Sequence, residues 1–192
     1  MRAQLASQNR HKLEELRDGL HGWELEPLDA IGWPPEDGDT YYENARIKAR
    51  FGRAAGDPAA WAIGEDSGIE CDALDGAPGL HSARWAPGPD QAIALLERLD
   101  GASNRRARMI TEIVAIAPDG EELHGVGVLE GLITTEKRGR HGFGYDPIFI
   151  PLGYDQTIAE LGDDWKRQHS HRAQAAQAFL DAVSARDRSG AS

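Results

Sequence analysis

Two strand patterns, 106–117 and 122–134, face each other across Pro118-Asp119-Gly120. A turn signal between two such runs predicts a long hairpin. It follows a stretch in which helix and strand patterns alternate. The chain is therefore expected to be mixed α/β rather than a purely doubly wound sheet.

The alternating stretch begins with a short strand at 3–6 and a helix whose Leu13, Leu16 and Leu20 share one face, with Gly22 expected to end it. A second strand is expected at 23–28, and the Pro- and Gly-rich run 31–38 reads as a loop. Thr40 and Glu43 form a capping-box pattern, so an alanine-rich helix should run to Ala55 and break at Gly56-Asp57-Pro58. Short strands are expected at 61–63 and 69–74, separated by Glu65-Asp66-Ser67-Gly68. Asp90 should cap a helix reaching Leu99. A last helix carries Ala173, Ala176, Phe179, Leu180 and Val183 on one face. Residues 1–185 read as one domain, followed by a tail, 186–192, expected to fray.

Composition narrows the function. With 192 residues, 40% hydrophobic and 28% charged, the chain is a globular protein able to bury a sizeable core without metal or disulfide. Twenty-one Lys and Arg against 32 Asp and Glu leave a net charge of −11, which argues against nucleic-acid or anionic-membrane binding. A locally basic site for a small anion remains compatible with that charge. The single cysteine, Cys71, excludes an internal disulfide framework and fits a reducing, cytoplasmic location. No signal-peptide pattern and no membrane-spanning run are read.

Five polar constellations punctuate this pattern. Ser7-Gln8-Asn9 followed by Lys12 stands between a strand and a helix. Backbone N–H groups there make an anion site and Lys12 adds a point charge; an ordinary N-cap uses the same residues. Glu43, Asn44 and Lys48 lie on the capped helix, the latter two on one face; capping alone also accounts for Glu43. Glu65-Asp66-Ser67-Gly68 offers two carboxylates to a hard cation such as Mg²⁺, or one carboxylate to an attacking water, and equally suits a surface turn. Gly142-Phe143-Gly144-Tyr145-Asp146-Pro147 suits a flat, stackable ligand or a tight aromatic-anchored loop. Lys166 and Ser170-His171-Arg172 put cations at a helix start, which the helix dipole does not favour. Such donors suit a carbonyl-bearing or phosphorylated ligand. His21, His81, His124, His141 and His169 have no metal-cage spacing.

Taken in order, these segments resemble the inosine triphosphate pyrophosphatase family, the Ham1 or non-standard purine NTP pyrophosphatases. Ser7-Gln8-Asn9 with Lys12 and Glu15 is similar to its N-terminal motif. Thr40, Glu43-Asn44-Ala45 and Lys48-Ala49 resemble its Thr-Phe-x-Glu-Asn-Ala-x-x-Lys-Ala segment. Glu65-Asp66-Ser67-Gly68, Gly76-Ala77-Pro78-Gly79 and Ser82-Ala83-Arg84 resemble its central blocks. The 142–147 run with Ile148-Phe149 resembles its aromatic signature, and Ala159-Glu160-Leu161, Lys166 and Ser170-His171-Arg172 its C-terminal block. The resemblance runs from about residue 5 to residue 180. Gln8 stands where glycine is usual, Glu65 where aspartate is commoner and Trp85 where tyrosine is common; 34–38 is peculiar to this chain.

The resemblance implies two lobes around a long central mixed sheet with flanking helices, a ligand cleft between the lobes, and a homodimer. It implies Mg²⁺-dependent hydrolysis of ITP, dITP and XTP to monophosphate and pyrophosphate, which clears deaminated purines from the nucleotide pool. On that reading Ser7, Asn9, Lys12, Lys48 and Lys166 hold the triphosphate, while Glu43 and Asp66 hold Mg²⁺. Asp66 positions or deprotonates the attacking water. Ser67, Phe143, Gly144, Tyr145, Asp146, His171 and Arg172 take the base. A donor from His171, Arg172 or a backbone N–H near Asp146 would favour a 6-oxo group over the 6-amino group of adenine. The alternatives are a Maf-type nucleotide pyrophosphatase and a nucleotide-binding module without catalysis.

Overall fold

The computed structural model of the chain describes residues 1–88 and 90–190. Its strands are β1 (Arg2–Leu5), β2 (Glu24–Pro27), β3 (Trp61–Cys71), β4 (Pro78–Gly79), β5 (Arg106–Ile116), β6 (Glu122–Ile133) and β7 (Phe149–Pro151). Its helices are α1 (Arg10–Gly19), α2 (Tyr41–Ala55), α3 (Gln91–Arg98), α4 (Ile158–Leu161), α5 (Asp163–His169) and α6 (His171–Gly190). Among the described residues the sheet order is β2-β1-β3-β5-β6-β7, with β4 paired to β3. β1 pairs in parallel with β2 and β3, whereas β3–β4 and β6–β7 are antiparallel, so the sheet is mixed as expected. The expected hairpin is β5–β6, closed by Gly120 N–H to Ala117 C=O and Ala117 N–H to Glu121 C=O.

The described residues form two compact units. The first holds 1–66, 111–127 and 171–190. In it the period-two alternation of the strands sends side chains to two different helical layers. Trp61, Ile63, Ile113 and Ala115 pack with Leu13, Leu16 and Leu20 from the α1 segment and with Ala175, Ala176, Phe179 and Val183 of α6. Val114 and Ile116 point the other way and meet Ala45 and Ala49 of α2. Close approach is possible because β3 carries Gly64, where a Cβ would lie 1.9 Å from the Ala45 carbonyl oxygen. Gly125 and Gly127 of β6 give the α6 backbone the same room.

The second unit holds 67–88, 90–110 and 128–170. Its core gathers Ile69 and Cys71 of β3, Ala107 and Met109 of β5, Ala92 and Leu95 of α3, and Ile148, Phe149 and Ile158. Asp90 caps α3 as expected, accepting from Ile93 N–H at 3.2 Å. Arg105 donates to the carbonyls of Leu99, Ile133 and Thr134 and so ties the end of α3 to the end of β6.

Several local expectations are corrected. Residues 61–63 and 69–74 are not separate strands: β3 runs unbroken from Trp61 to Cys71, and Asp72–Leu74 is a single 3₁₀ turn. Glu65-Asp66-Ser67-Gly68 is therefore strand rather than turn. Adjacent carboxylates are tolerated there because they project to opposite faces and each meets cations. Helix α1 ends at Gly19, with Leu20 N–H bonded to Leu16 C=O; Gly22, at φ +79°, makes the following turn. The start of the expected frayed tail is helical to Gly190. There Arg186 pairs with Asp119 and with Glu121 and lies 5.1 Å from the Trp61 ring centre. Ala191 and Ser192, also in that tail, lie outside the described residues.

Gly64→Ala should cost about 1–3 kcal/mol or more of stability, because the added methyl meets helix backbone and cannot rotate away. Urea unfolding of the variant checks this.

Candidate active site

The turn after β1 is organised by its own side chains. Asn9 Oδ1 accepts from His11 N–H at 3.0 Å and Lys12 N–H at 3.3 Å, and Ser7 Oγ accepts from Asn9 N–H at 3.2 Å. Asn9 is thus the N-cap of α1, and its side chain does what the capping alternative predicts. Lys12, one turn in, points its ammonium at Glu65, 2.7 Å away.

Glu65 has no solvent exposure. Its second oxygen accepts from both Nε and Nη2 of Arg172 at 3.1 Å, and Nη1 of the same guanidinium pairs with Glu15. Burial pushes the Glu65 carboxyl up, but the charges of Lys12 and Arg172 outweigh it and hold the group below the usual carboxylate range. Burial likewise opposes the charge on Arg172, and Glu65 and Glu15 more than restore it. Two cations and two carboxylates from α1, β3 and α6 thus form one network around the buried Glu65 and Arg172.

Asp66, the next residue on β3, projects to the α2 side. Its Oδ1 receives Lys48 Nζ at 2.9 Å and its Oδ2 receives Asn44 Nδ2 at 3.3 Å. Lys48 Nζ also donates to Glu36 at 2.7 Å. Burial raises the Asp66 carboxyl above its ordinary value, with Lys48 acting against it. Burial works against the Lys48 charge, and the carboxylates Asp66 and Glu65 more than offset it and raise the ammonium. Helix α2 presents Asn44 and Lys48 on one face because they are one turn apart. Glu43, on the same helix, is exposed and placed differently. Its Oε2 accepts from Asp39 N–H at 2.7 Å and Thr40 N–H at 3.2 Å, while Thr40 Oγ1 accepts from Glu43 N–H at 3.1 Å. The capping box read from the sequence is present and engages Glu43, expected as a metal ligand. Glu36, in the loop before α2, shares the Lys48 cation with Asp66 instead.

The 142–147 loop, in the second unit, is wound around Asp146. Asp146 Oδ2 accepts from Phe143 N–H at 2.8 Å and pairs with Lys166. A Cβ at Gly142 would fall 2.2 Å from that oxygen, and Gly142 and Gly144 have φ of +75° and +61°. Gly142 makes room for the loop's own carboxylate, whereas Gly144 answers only to its positive φ. Lys166 Nζ lies 4.3 Å from the centre of the Phe143 ring. The structure therefore groups Lys166 with Phe143 and Asp146, residues expected at the base, although Lys166 was expected at the triphosphate. The Tyr145 hydroxyl is turned to the Ser82 carbonyl, 2.7 Å away. Ser67 lies half-buried on β3, and His171 begins α6 and is buried.

Lys12 is thus brought together with Arg172, Lys48 with Asp66, and Phe143 with Asp146 and Lys166. Glu15, Glu36 and Asn44 are the partners that sequence reasoning did not assign. The residue types of Glu15 and Asn44 stand inside motifs, so helical spacing from Lys12 and Lys48 points to them. Glu36 follows two prolines in an aperiodic loop and carries no comparable signal.

Among the described residues no cluster of three or more His, Cys, Asp or Glu is placed to hold a metal ion. The supply of two carboxylates still suits a hard divalent ion. Asp66 and Glu36 converge on one cation, the Lys48 ammonium, through oxygens alone. Mg²⁺ needs only one or two carboxylates beside waters and phosphate oxygens.

A mixed α/β protein whose acidic strand pair is flanked by lysines is of the class that handles phosphorylated ligands beside carboxylates. The chain matches the Ham1 family over residues 3–182 and belongs to that family. It is 42% identical to a dITP/XTP pyrophosphatase of Leifsonia xyli subsp. xyli, covering 99% of both chains. It is 45% identical to a dITP/XTP pyrophosphatase of Bdellovibrio bacteriovorus, covering 77% of this chain and 76% of that one. A solved Ham1 protein from Coxiella burnetii superposes with a TM-score of 0.81 at 35% identity, covering 96% of this chain and 99% of that one. Family membership favours the pyrophosphatase reading over the Maf-type and non-catalytic alternatives. Among the described residues no helix is long and apolar enough to cross a membrane.

Glu65→Ala should lower stability by about 3–5 kcal/mol, because the buried guanidinium of Arg172 loses its carboxylate on β3. A urea midpoint equal to that of the parent protein would show that the network adds no net stability.

Proposed function

We propose that this chain is a nucleoside triphosphate pyrophosphohydrolase that converts ITP, dITP and XTP to the monophosphate and pyrophosphate. The observation that carries the reading is Asp66, buried on β3 with a raised carboxyl and held by Lys48 and Asn44. The names of the Leifsonia and Bdellovibrio relatives supply the substrate class.

Lys12 and Lys48 are assigned to the triphosphate, together with Ser7, Asn9 and the N–H groups opening α1. A strongly anionic substrate needs such a locally basic site in a chain of charge −11. Asp66 accepts a proton from a water that it orients toward the α-phosphorus. The water oxygen forms the new P–O bond while the bond to the β-phosphate bridging oxygen breaks and pyrophosphate leaves. The raised carboxyl of Asp66 makes it a better proton acceptor than an ordinary aspartate.

Nucleotide pyrophosphatases are generally metal-dependent, and we assign Mg²⁺ to Asp66 with Glu36, in place of the Glu43 expected from the sequence. When bound, the ion would neutralise negative charge on the phosphates beside Asp66. Base recognition is assigned to Ser67, Phe143, Gly144 and Asp146 of the second unit. Lys166 joins them because it lies on Phe143 and pairs with Asp146. The working form on this reading is a cytoplasmic homodimer in which 1–185 acts as one catalytic domain. Light scattering checks the dimer.

Purified protein with Mg²⁺ should release monophosphate and pyrophosphate from ITP, dITP and XTP and leave ATP and dUTP largely intact, as read by chromatography. Release of diphosphate and free phosphate would place the attack at the wrong phosphorus. Asp66→Asn should fold and lose about 10²–10⁴-fold in turnover. Glu36→Gln should raise the Mg²⁺ concentration needed for half-maximal activity more than Glu43→Gln does; the reverse order would return the metal to Glu43.

A further inference from the structure

The 142–147 loop makes its internal hydrogen bonds over short spans. Phe143 N–H reaches the Asp146 side chain, Asp146 N–H reaches Phe143 C=O at 3.2 Å, and Ile148 N–H reaches Tyr145 C=O at 3.0 Å. Such bonds set the loop's shape without setting where it stands in its unit. Lys166 of α5 ties the loop through Asp146, and the Tyr145 hydroxyl supplies a second non-local tie, because its acceptor is the Ser82 carbonyl, 63 residues away in the chain.

That acceptor is itself held. Ser82 is 6% exposed, and its Oγ accepts from Ile69 N–H at 2.9 Å and donates to Gly79 C=O at 2.6 Å. Ser82 thus locks the 79–84 turn to β3, and Tyr145 hangs the loop from that turn. The Tyr145 ring packs beside the buried core of Ile69, Cys71, Ile148 and Phe149. Burial pushes the phenol well above its ordinary titration range, so it stays a donor at any working pH.

We propose that the Tyr145 hydroxyl is a positioning group for base selection: by holding to the Ser82 carbonyl it sets where Phe143 and Asp146 stand, and Phe143 alone of the two aromatics supplies the stacking face. The inference rests on the pyrophosphohydrolase reading above and deepens it. Tyr145→Phe keeps the ring and removes only the donor. One hydrogen bond of this kind is worth about 0.5–1.5 kcal/mol, or roughly 2- to 12-fold in a binding constant. The loss should therefore be graded.

The test is steady-state kinetics with ITP and ATP on the parent protein, Tyr145→Phe and Ser82→Ala, with thermal unfolding of each. Tyr145→Phe should raise KM for ITP about 3- to 10-fold, change kcat less, and lower the ITP:ATP ratio of kcat/KM by a similar factor. Ser82→Ala, which loosens the acceptor from the other side, should move the ratio in the same direction. A parent protein that does not turn over ITP would remove the underlying function. A parent protein that does so normally, with either variant less stable but unchanged in KM and base ratio, would overturn the positioning role alone. Should Tyr145→Phe fail to fold, the base ratio of Ser82→Ala decides.

Discussion

A fully buried carboxylate, Glu65, stays ionised because Lys12 and Arg172 meet its two oxygens. Leaving such a charge unpaired in the interior would cost several kcal/mol, so the three elements that supply its partners are held to one arrangement. Helix α1 brings Lys12 and Glu15, β3 brings Glu65, and α6 brings Arg172. The apolar packing of the same layer is less demanding. Leu13, Leu16, Ala175 and Phe179 make non-directional contacts, whereas the charge-assisted hydrogen bonds from Arg172 to one Glu65 oxygen constrain angle as well as distance. Glutamate reaches one methylene further than the aspartate common at this position, and its two oxygens divide between lysine and arginine.

The same strand solves a second electrostatic problem by alternation. Asp66 follows Glu65 directly, yet each carboxylate belongs to a different helical layer and a different set of cations. Gly64 lets α2 come close enough for Asn44 and Lys48 to reach Asp66. A residue without a side chain thus sets the surroundings of the acid proposed to act on water. The raised carboxyl of Asp66 and the lowered one of Glu65 follow from this division, one having stronger compensation than the other.

In the second unit the organising group is again a carboxylate that serves its own loop. Asp146 binds Phe143 N–H and Lys166, and Gly142 is needed to clear its oxygen. In the sequence the two glycines suggest an approach path for a flat ligand. In the fold Gly142 first makes space for Asp146, and the base recognition proposed for this loop starts from the shape so set.

Much of this was legible in the chain itself. The capping box at Thr40 and Glu43, the cap at Asn9, the cap at Asp90 and the β5–β6 hairpin are local events, decided by residues within a few positions of each other. Motif order also singled out the residue types of the candidate site. What the sequence could not decide was which charges meet. Lys48 joins Asp66 to Glu36, Arg172 joins Glu65 to Glu15, and Lys166 lies against Phe143 and Asp146, pairings that reach as far as 157 residues apart. Nor could it show that Glu65 and Asp66 sit within a strand. Local propensity counts adjacent carboxylates against a strand, and the cations that offset their repulsion arrive only when distant helices pack. Short-range hydrogen bonding is written in neighbouring residues; compensation of buried charge depends on distance through space, and only the tertiary structure settles that.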